Sequence, residues 1–293
     1  HAMLQPLRRM TVLDFSTLLP GPLCSLLLAE AGAQVIKFER PENGDDMRTY
    51  DPKVDADSAN FVFLNRGIHL FCFDFLALVA LQRLTPLIEE ADVLVEQFRP
   101  GVRDRLGLGY AALAKINPRL VYCSITGFGQ YGPRAKEAAH YLIYAAAAGM
   151  LSLTTGSDGA PVLPPALIAD IAGGAYPAMI NILLALRQRD QTGKGLHLDV
   201  SMADNLFTFQ YWGLGAGALG AWPQPGSELV TGGTPRYQIY RTADNAYLAA
   251  APLEDKFWDK FLALVDLDAK VLEGLSAQAS TAIIAETIAK QSA

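Results

Sequence analysis

Three ionisable side chains stand among apolar or helix-forming neighbours, and together they could transfer protons. Asp170 lies in a run of proline, alanine, isoleucine and glycine residues, where an ionised carboxylate is costly unless it is paired or hydrogen-bonded. His140 precedes an alanine-rich helical pattern, and Glu254 directly follows a predicted strand. Imidazole titrates near neutral pH, and burial raises a carboxyl pKa towards that range. The three residues could therefore remove and return a proton at a carbon acid.

Each of these residues also has a purely structural explanation. Asp170 could cap the helical segment that follows it, because aspartate is a favoured N-cap residue. Glu254 could stabilise the first turn of its own helix, and His140 could be an ordinary packed or surface histidine. Gly173 and Gly174 would let another backbone or a ligand approach Asp170 closely. Spacing alone does not bring the three side chains together.

The composition indicates a soluble protein with an unusually large buried surface. Of the 293 residues, 51% are hydrophobic and 18% charged, so we expect extensive burial in the core or between subunits. The net charge of -6, without a basic block, argues against a nucleic-acid partner. Three widely spaced cysteines favour a reducing, cytoplasmic location over a disulfide framework or a metal site.

One apolar stretch, residues 166–186, is long enough to be considered as a membrane span. It contains Asp170 and is interrupted by glycine and proline residues. A buried helix therefore fits this stretch better than a transmembrane one, and we expect no membrane partner.

Short β-rich runs alternate with helical patterns in the first half of the chain, which predicts parallel βαβ units. Ligands of such sheets lie at the carboxyl ends of the strands. None of the turns there has the spacing of a dinucleotide-binding loop or a P-loop. Residues 138–188 and 202–218 are predicted to be helical. The predicted strands are residues 11–15, 34–38, 92–96, 120–125 and 196–200.

The predicted fold is therefore α/β, in two domains. Residues 4–220 form a large domain with a parallel sheet and long connecting helices. Residues 221–293 form a linker and a small α+β domain. In that domain, the strand 246–250 is followed by helices near residues 255–265, 268–275 and 281–291.

Six motifs, in the same order along the chain, resemble those of the class III CoA-transferase superfamily, often called CaiB/BaiF. The resemblance runs from residue 11 to about residue 265. The motifs are F-S-T-L-L-P-G-P (15–22), V-I-K-F-E-R-P (35–41), V-E-Q-F-R-P-G (95–101), D-R-L-G-L-G-Y (104–110), I-T-G-F-G-Q-Y-G-P (125–133) and T-G-K-G-L-H-L-D-V-S-M (192–202).

The resemblance implies a Rossmann-like large domain, a small domain, and a homodimer of interlocked rings. It implies an acyl-CoA thioester as substrate and no tightly bound cofactor or metal. Family members usually continue beyond the small domain and return to the large one, and this return is expected to be absent here.

The resemblance also implies roles for the three ionisable residues. Family transferases use an aspartate at the position of Asp170 as a nucleophile that attacks the thioester. The α-methylacyl-CoA racemase branch instead exchanges the α-proton between that aspartate and a histidine, which His140 and Tyr144 match in a G-H-D-x-x-Y frame. Glu254 and Phe257 match the spacing of an assisting glutamate. Because this chain contains all three residues, the resemblance favours the racemase branch, and CoA transfer is the alternative.

The same resemblance assigns CoA recognition to the loops that follow the strands. Arginine is suited to this task because its planar guanidinium can form two parallel hydrogen bonds to a phosphate. Two departures from the family pattern stand out. Ala139 and Tyr141 replace a glycine and an aspartate, and residues 68–76 are apolar where the family has a basic stretch. No CoA contact is expected from residues 68–77. A catalytically silent CoA-binding or dimer-scaffold protein is a third alternative. The implied CoA-binding residues are Leu18, Arg40, Gln97, Phe98, Arg99, Arg105 and Tyr141.

Overall fold

A parallel β-sheet is the central element of the structure, a computed structural model that describes residues 4–77, 79–153, 155–156 and 158–292. The strands are β1 (Thr11–Phe15), β2 (Gln34–Glu39), β3 (Lys53–Val54), β4 (Asp57–Ser58), β5 (His69–Cys72), β6 (Val93–Glu96), β7 (Val121–Thr126), β8 (His197–Ser201), β9 (Gln238–Arg241) and β10 (Tyr247–Ala250). The helices are α1 (Pro20–Glu30), α2 (Ala59–Leu64), α3 (Ala80–Glu90), α4 (Val102–Arg105), α5 (Tyr110–Ile116), α6 (Tyr141–Ala147), α7 (Ile168–Asp170), α8 (Tyr176–Thr192), α9 (Met202–Asn205), α10 (Tyr211–Gly217), α11 (Asp255–Leu264) and α12 (Ala277–Ile288).

The sheet has the order β5-β2-β1-β6-β7-β8, and each neighbouring pair is parallel in the described residues. The predicted parallel sheet is thereby confirmed. The chain first adds strands on one side of β1 and then, from β6 onwards, on the other. The carboxyl ends of β1 and β6 therefore form a topological switch point, where open parallel sheets bind their ligands.

Helices cover both faces of this sheet and bury its apolar side chains. On one face, α3 and α5 contribute the fully buried Leu84, Ile88 and Leu113. On the other face, α1 and α8 contact the sheet and each other. The apolar runs of β1, β6 and β7 follow from this arrangement, because a strand covered on both sides is apolar on both sides.

The structure differs from the predicted elements in three places. The apolar residues 69–72 form β5, an edge strand paired with β2, rather than a loop. Before residue 153, the predicted helical region 138–188 contains α6 and a short 3-10 helix at Met150–Ser152, and its next long helix begins at Ile168. Gly149, Pro161 and the proline pair at 164–165 explain this gap, since these residues interrupt helices. The predicted helix 202–218 is broken at residues 206–210.

The chain divides by its contacts into two units. The first contains the residues up to Ala148 and Pro164–Thr208, and the second contains Gly149–Leu163 and the residues from Phe209 onwards. This grouping assigns residues 149–163 and 209–220 to the smaller unit, whereas the sequence placed them in the large domain. In the second unit, the antiparallel pair β9–β10 packs with α11 and α12 around Tyr240, Leu262 and Ile284.

A continuous helix of 25 residues, Ile168–Thr192, combines α7, a single π-helical turn and α8. Among the described residues it is the one helix long and apolar enough to cross a membrane by length and composition, and part of it is buried in the protein. The expectation that no membrane partner exists remains a prediction.

Candidate active site

A cavity of about 550 Å3 lies at the carboxyl ends of β1, β6 and β7. Its size is in the range of small-molecule sites. The loops after these strands contribute Thr17, Leu18, Gln97, Arg99 and Gly127 to its wall. The cavity therefore lies where the sheet topology predicts a ligand.

Asp170 lines this cavity as the last residue of α7. Its side chain makes no helix-capping hydrogen bond, so the capping explanation does not hold in the structure. Burial raises the pKa of Asp170 to about 6, and the nearby His140 opposes this rise in part. A carboxyl group of this kind exchanges its proton close to neutral pH, which the usual surface aspartate does not do.

Two glycines fix the position of the turn that carries Asp170. A Cβ atom on Gly173 would lie 2.7 Å from the backbone oxygen of Met202, and one on Gly174 would lie 3.0 Å from Cβ of Pro20. These distances leave no space for a side chain at Gly173. The predicted close approach of another backbone is therefore confirmed at Gly173, where α9 makes it, whereas α1 approaches Gly174 through the side chain of Pro20.

His140 immediately precedes α6 and lines the same cavity. Its side chain is exposed and does not cap the helix. Tyr144, one turn along α6, donates a hydrogen bond from its hydroxyl to the carbonyl oxygen of Ala139. The tyrosine ring fits against Gly127, where a Cβ atom would lie 2.1 Å from Cε1 of Tyr144. The backbone before His140 is thus held by a buried aromatic side chain.

Two tyrosines share the electrostatic environment of Asp170. Burial raises the pKa of Tyr144, and the carboxylate of Asp170 raises it further. Burial and the charge of Asp170 also raise the pKa of Tyr141. Both phenols therefore stay neutral at physiological pH, and the single hydroxyl proton of Tyr144 is donated to Ala139.

Leu18 lies in a left-handed backbone conformation, with φ of 63°, at the cavity wall. Its N–H donates to Oδ1 of Asp45 at 3.0 Å, and Oδ2 of Asp45 is 2.7 Å from Nζ of Lys37, with both side chains fully buried. This buried ion pair stabilises a strained turn at the site. Neither residue was predicted from the sequence, although a signal was present: Lys37 is the one charged residue in the buried run Val35–Phe38 of β2.

The loop after β6 is attached to the start of α1. The side-chain oxygen Oε1 of Gln97 accepts a hydrogen bond from the Gly21 N–H at 2.8 Å. A second cavity of about 160 Å3 shares Thr17 and Gln97 with the first and is also lined by Arg40 and Phe98. Phe75, from the apolar stretch 68–77, contributes to its wall as well.

Two predicted site residues lie outside both cavities. Arg105 is exposed on α4 and is absent from the described lining of either cavity. Glu254 belongs to the second unit, where its exposed side chain precedes α11 without capping it. Their predicted roles stay predictions. Arg40 forms an exposed ion pair with Asp46, with Nη2 and Oδ1 2.8 Å apart.

The structure thus brings six of the ten predicted site residues to one cavity and two to its neighbour. In the first cavity are Leu18, Gln97, Arg99, His140, Tyr141 and Asp170. The second cavity takes Arg40 and Phe98.

Comparison with known proteins points to one family. A family model described as CoA-transferase family III matches residues 7–292. The chain is 42% identical over 205 residues to acetyl-CoA:oxalate CoA-transferase of Acetobacter aceti, which covers 70% of this chain and 52% of that protein. It is 34% identical over 254 residues to alpha-methylacyl-CoA racemase of Homo sapiens, which covers 86% of this chain and 63% of that protein. The matched part thus spans between about half and two thirds of these curated relatives.

A solved structure agrees with this similarity. The crystal structure of a CaiB/BaiF family protein from Brucella suis superposes with a TM-score of 0.85 at 31% sequence identity. The superposition covers 99% of this chain and 80% of that chain. The fold is therefore shared across nearly the whole of the present sequence.

Proposed function

Since this chain belongs to CoA-transferase family III, we propose that it is an enzyme acting on acyl-CoA thioesters. The proposed reaction racemises a 2-methylacyl-CoA by exchange of its α-proton. One observation carries this proposal: a partly buried carboxyl, Asp170, whose pKa is raised to about 6, shares a cavity with the imidazole of His140. Paired groups of this kind are suited to acid and base catalysis near neutral pH.

The proposed mechanism uses the two groups in turn. His140 or Asp170 removes the proton from the carbon next to the thioester carbonyl, and the electron pair moves onto the carbonyl oxygen to give an enolate. The other group then donates a proton to the opposite face of the same carbon, and the carbonyl re-forms. The enolate oxygen requires hydrogen-bond donors, for which we propose backbone N–H groups at a helix start. The proposed assisting role of Glu254 comes from the resemblance alone.

The CoA part of the substrate is proposed to follow the two cavities. Leu18, Gln97, Arg99 and Tyr141 would then contact the part near the thioester. Arg40 and Phe98 would contact the part in the smaller cavity, where a guanidinium and an aromatic ring suit a phosphate and a planar base. CoA is thus proposed as part of the substrate rather than as a bound cofactor.

Proton exchange in heavy water tests the proposed reaction. The purified protein is incubated with each enantiomer of a 2-methylacyl-CoA, without an acceptor acid, and α-deuterium is followed by mass spectrometry. We expect one deuterium per thioester with the wild type, and with Asp170→Asn a loss of exchange for the enantiomer whose proton Asp170 removes. Asp259→Asn, an exposed aspartate of α11, is the matched control and should retain exchange. A wild type that binds the thioester without exchanging its α-proton would contradict the proposal.

CoA transfer is the second candidate, and the 42% identity to a CoA-transferase favours it. In this reaction a carboxylate oxygen of Asp170 attacks the thioester carbonyl and expels the CoA thiolate, which leaves a mixed anhydride. The thiolate then attacks the aspartyl carbonyl, which releases the first acid and forms an aspartyl-CoA thioester. The acceptor carboxylate then attacks the aspartyl-CoA thioester and expels the CoA thiolate, which gives a second mixed anhydride between Asp170 and the acceptor. The thiolate attacks the acceptor carbonyl of this anhydride, which forms the new acyl-CoA and releases the Asp170 carboxylate.

Trapping distinguishes the two reactions. An acyl-CoA and an acceptor acid such as oxalate are added, followed by hydroxylamine or borohydride, and the peptide containing Asp170 is analysed by mass spectrometry. A modified Asp170 together with transfer to the acid supports transferase chemistry. Proton exchange without an adduct supports racemisation. If neither occurs although a CoA ester binds, the chain is a silent CoA-binding protein.

We further propose that the protein is a homodimer. The helix α8 exposes Tyr176, Ile180, Leu183 and Leu184, with side chains between 40% and 62% exposed. Exposed apolar groups on one helix of this length favour an interface with another chain. The interlocked form of this dimer and a cytoplasmic location are proposed from the resemblance and from the cysteine content.

A further inference from the structure

A chain of hydrogen bonds links three strands of the sheet below the loop that follows β6. The Ser124 hydroxyl donates to Oε1 of Glu96 at 2.6 Å and lies 2.8 Å from Nε2 of His197. Because serine has a single hydroxyl proton, which it gives to Glu96, Nε2 of His197 must donate to the Ser124 oxygen. The order of donors is therefore His197 to Ser124 to Glu96.

The strand register explains why these three side chains meet. Glu96 of β6 is paired with Ser124 of β7, and His197 of β8 is paired with Tyr122, two residues before Ser124. Residues two apart on a strand lie on the same face, so all three side chains point to one side of the sheet. The His197 ring is further held by stacking on Tyr110, with ring centroids 5.2 Å apart.

The second oxygen of the Glu96 carboxylate is directed at the loop itself. Oε2 accepts a hydrogen bond from the backbone N–H of Phe98 at 2.7 Å. Glu96 is 3% exposed, and both of its oxygens have a donor. A buried carboxylate satisfied in this way is fixed in place and is costly to remove.

A second contact holds the aromatic ring of Phe98. The guanidinium of Arg103 lies 4.5 Å from the centroid of the Phe98 ring and 4.1 Å from that of Phe15. Arg103 is buried, so this cation–π contact is shielded from water and correspondingly stronger. Phe98 is thus held at its backbone by Glu96 and at its ring by Arg103.

Phe98 is the middle residue of the loop that serves both cavities. Gln97 lines both of them, Arg99 lines the larger and Phe98 the smaller. We infer that Glu96 is a positioning residue for the proposed thioester site, because its hydrogen bond to Phe98 sets the path of residues 97–99. The proposed proton-transfer groups, His140 and Asp170, are not part of this chain of hydrogen bonds. This inference rests on the proposed function, since it takes a CoA ester as the ligand.

Substitutions along the chain of hydrogen bonds test the inference. Ser124→Ala removes the donor to Glu96, and Ser124→Thr retains a hydroxyl. Glu96→Gln keeps the shape of the side chain but supplies an amide where a carboxylate accepted two hydrogen bonds. Glu286→Gln, an exposed glutamate of α12, is the matched control. Each variant is compared with the wild type by calorimetric titration with CoA ester, by KM and kcat of proton exchange, and by thermal unfolding.

A positioning role predicts a loss of binding at a constant rate of chemistry. For Glu96→Gln we expect KM and Kd to rise about tenfold, the equivalent of one charge-assisted hydrogen bond, with kcat within about twofold of the wild type. Ser124→Ala should show a smaller rise in the same direction, and Ser124→Thr should restore wild-type binding. Glu286→Gln should behave like the wild type. If Glu96→Gln does not fold, the comparison of alanine with threonine at position 124 carries the test.

Two results would overturn the inference without affecting the proposed function. The first is unchanged binding in folded Ser124→Ala and Glu96→Gln while the wild type binds and turns over CoA ester. The second is a fall in kcat with an unchanged KM. If the wild type itself binds no CoA ester, the proposed function is wrong and the inference fails with it.

Discussion

The hydroxyl of Tyr144 donates a hydrogen bond to the carbonyl oxygen of Ala139, the residue before His140. The same tyrosine ring fills the space that a side chain at Gly127 would occupy. A buried phenol on α6 therefore restrains the backbone from which the imidazole of His140 extends into the cavity. The residue types alone did not show this relationship, although Tyr144 and His140 belong to one motif.

Removing that hydroxyl should loosen His140 without removing it. For Tyr144→Phe we expect kcat of proton exchange to fall about tenfold with KM nearly unchanged, and the free energy of unfolding to fall by about 1 kcal/mol. Steady-state kinetics and chemical denaturation measure the two effects. Tyr131→Phe, at a tyrosine that is 80% exposed, should change neither. An unaltered kcat in Tyr144→Phe would show that the hydrogen bond does not position His140.

Ionisation of Asp170 should reduce stability as the pH rises. Burial raises its pKa from the ordinary value of 3.8 to about 6, so the folded state binds this proton more tightly than the unfolded state does. The stabilisation that the protonated carboxyl gives to the folded state is fully present below pH 3.8 and is lost as the pH rises through about 6. Asp170→Asn, which cannot ionise, should therefore exceed the wild type in unfolding free energy by roughly 2 to 3 kcal/mol at pH 8.

Urea denaturation of the two proteins between pH 5 and pH 8 measures this difference. It should grow as the pH rises to about 6 and level off above that value, because both states are then ionised. Activity is lost in the variant. The exposed Asp259→Asn should show no such dependence on pH. A stability difference independent of pH would mean that Asp170 is not held in the environment described here.

His140 and Asp170 should serve opposite faces of the substrate. In His140→Gln, the enantiomer whose proton His140 removes should lose exchange by a factor of about 10^2 to 10^4, the usual contribution of one acid or base. The other enantiomer should still lose its α-proton to Asp170, although the product is returned without inversion. Deuterium uptake from each pure enantiomer measures this asymmetry. Equal losses for both enantiomers would contradict a two-base mechanism.

A side chain at Gly173 should displace the turn that carries Asp170. Since a Cβ atom there would lie 2.7 Å from the Met202 oxygen, we expect Gly173→Ala to cost roughly 1 to 3 kcal/mol of stability and to lower activity. Gly215→Ala is the matched control, because nothing lies within 4 Å of a Cβ atom at that position in α10. Thermal unfolding should show it to be neutral or slightly stabilising. A fully stable and active Gly173→Ala would mean that α9 can move away.

Charge on the exposed face of α8 should disrupt the proposed dimer. Ile180 and Leu184 are 57% and 62% exposed, and replacing either by lysine should shift the molar mass measured by light scattering from dimer towards monomer. Leu264→Lys, at an exposed leucine of α11, is the control and should leave the mass unchanged. A monomeric wild type would contradict the proposal directly.

Several elements of the fold could be predicted from local pattern, and others could not. The strands β1, β2, β6, β7 and β8 lie within one residue of their predicted positions at either end, because runs of β-branched and apolar residues between turn residues have few alternatives. The edge strand β5 was missed because all four of its residues are exposed. Its place in the sheet depends on pairing with β2, which no local pattern reports.

The helical region before Asp170 shows a related limit. Alanine and leucine favour helix over residues 138–188, but the structure interrupts the helix after α6. Likewise, residues 206–210 interrupt the predicted helix 202–218 close to Thr208, where the chain leaves the first unit. The first interruption is local, because Gly149, Pro161 and the proline pair at 164–165 break a helix. Residues 206–210 contain no glycine or proline, and there we infer that tertiary contacts override helix propensity.

For the site, residue types and motif order were enough to select Asp170, His140 and most of the residues that surround them, since the chemistry of a carboxyl or an imidazole is a property of the residue itself. Their grouping in one cavity, the raised pKa of Asp170 and the buried partners Lys37, Asp45 and Glu96 come only from the tertiary structure. The physical reason is that desolvation and hydrogen bonding depend on distances between residues far apart in the chain. Position along a sequence carries no record of those distances.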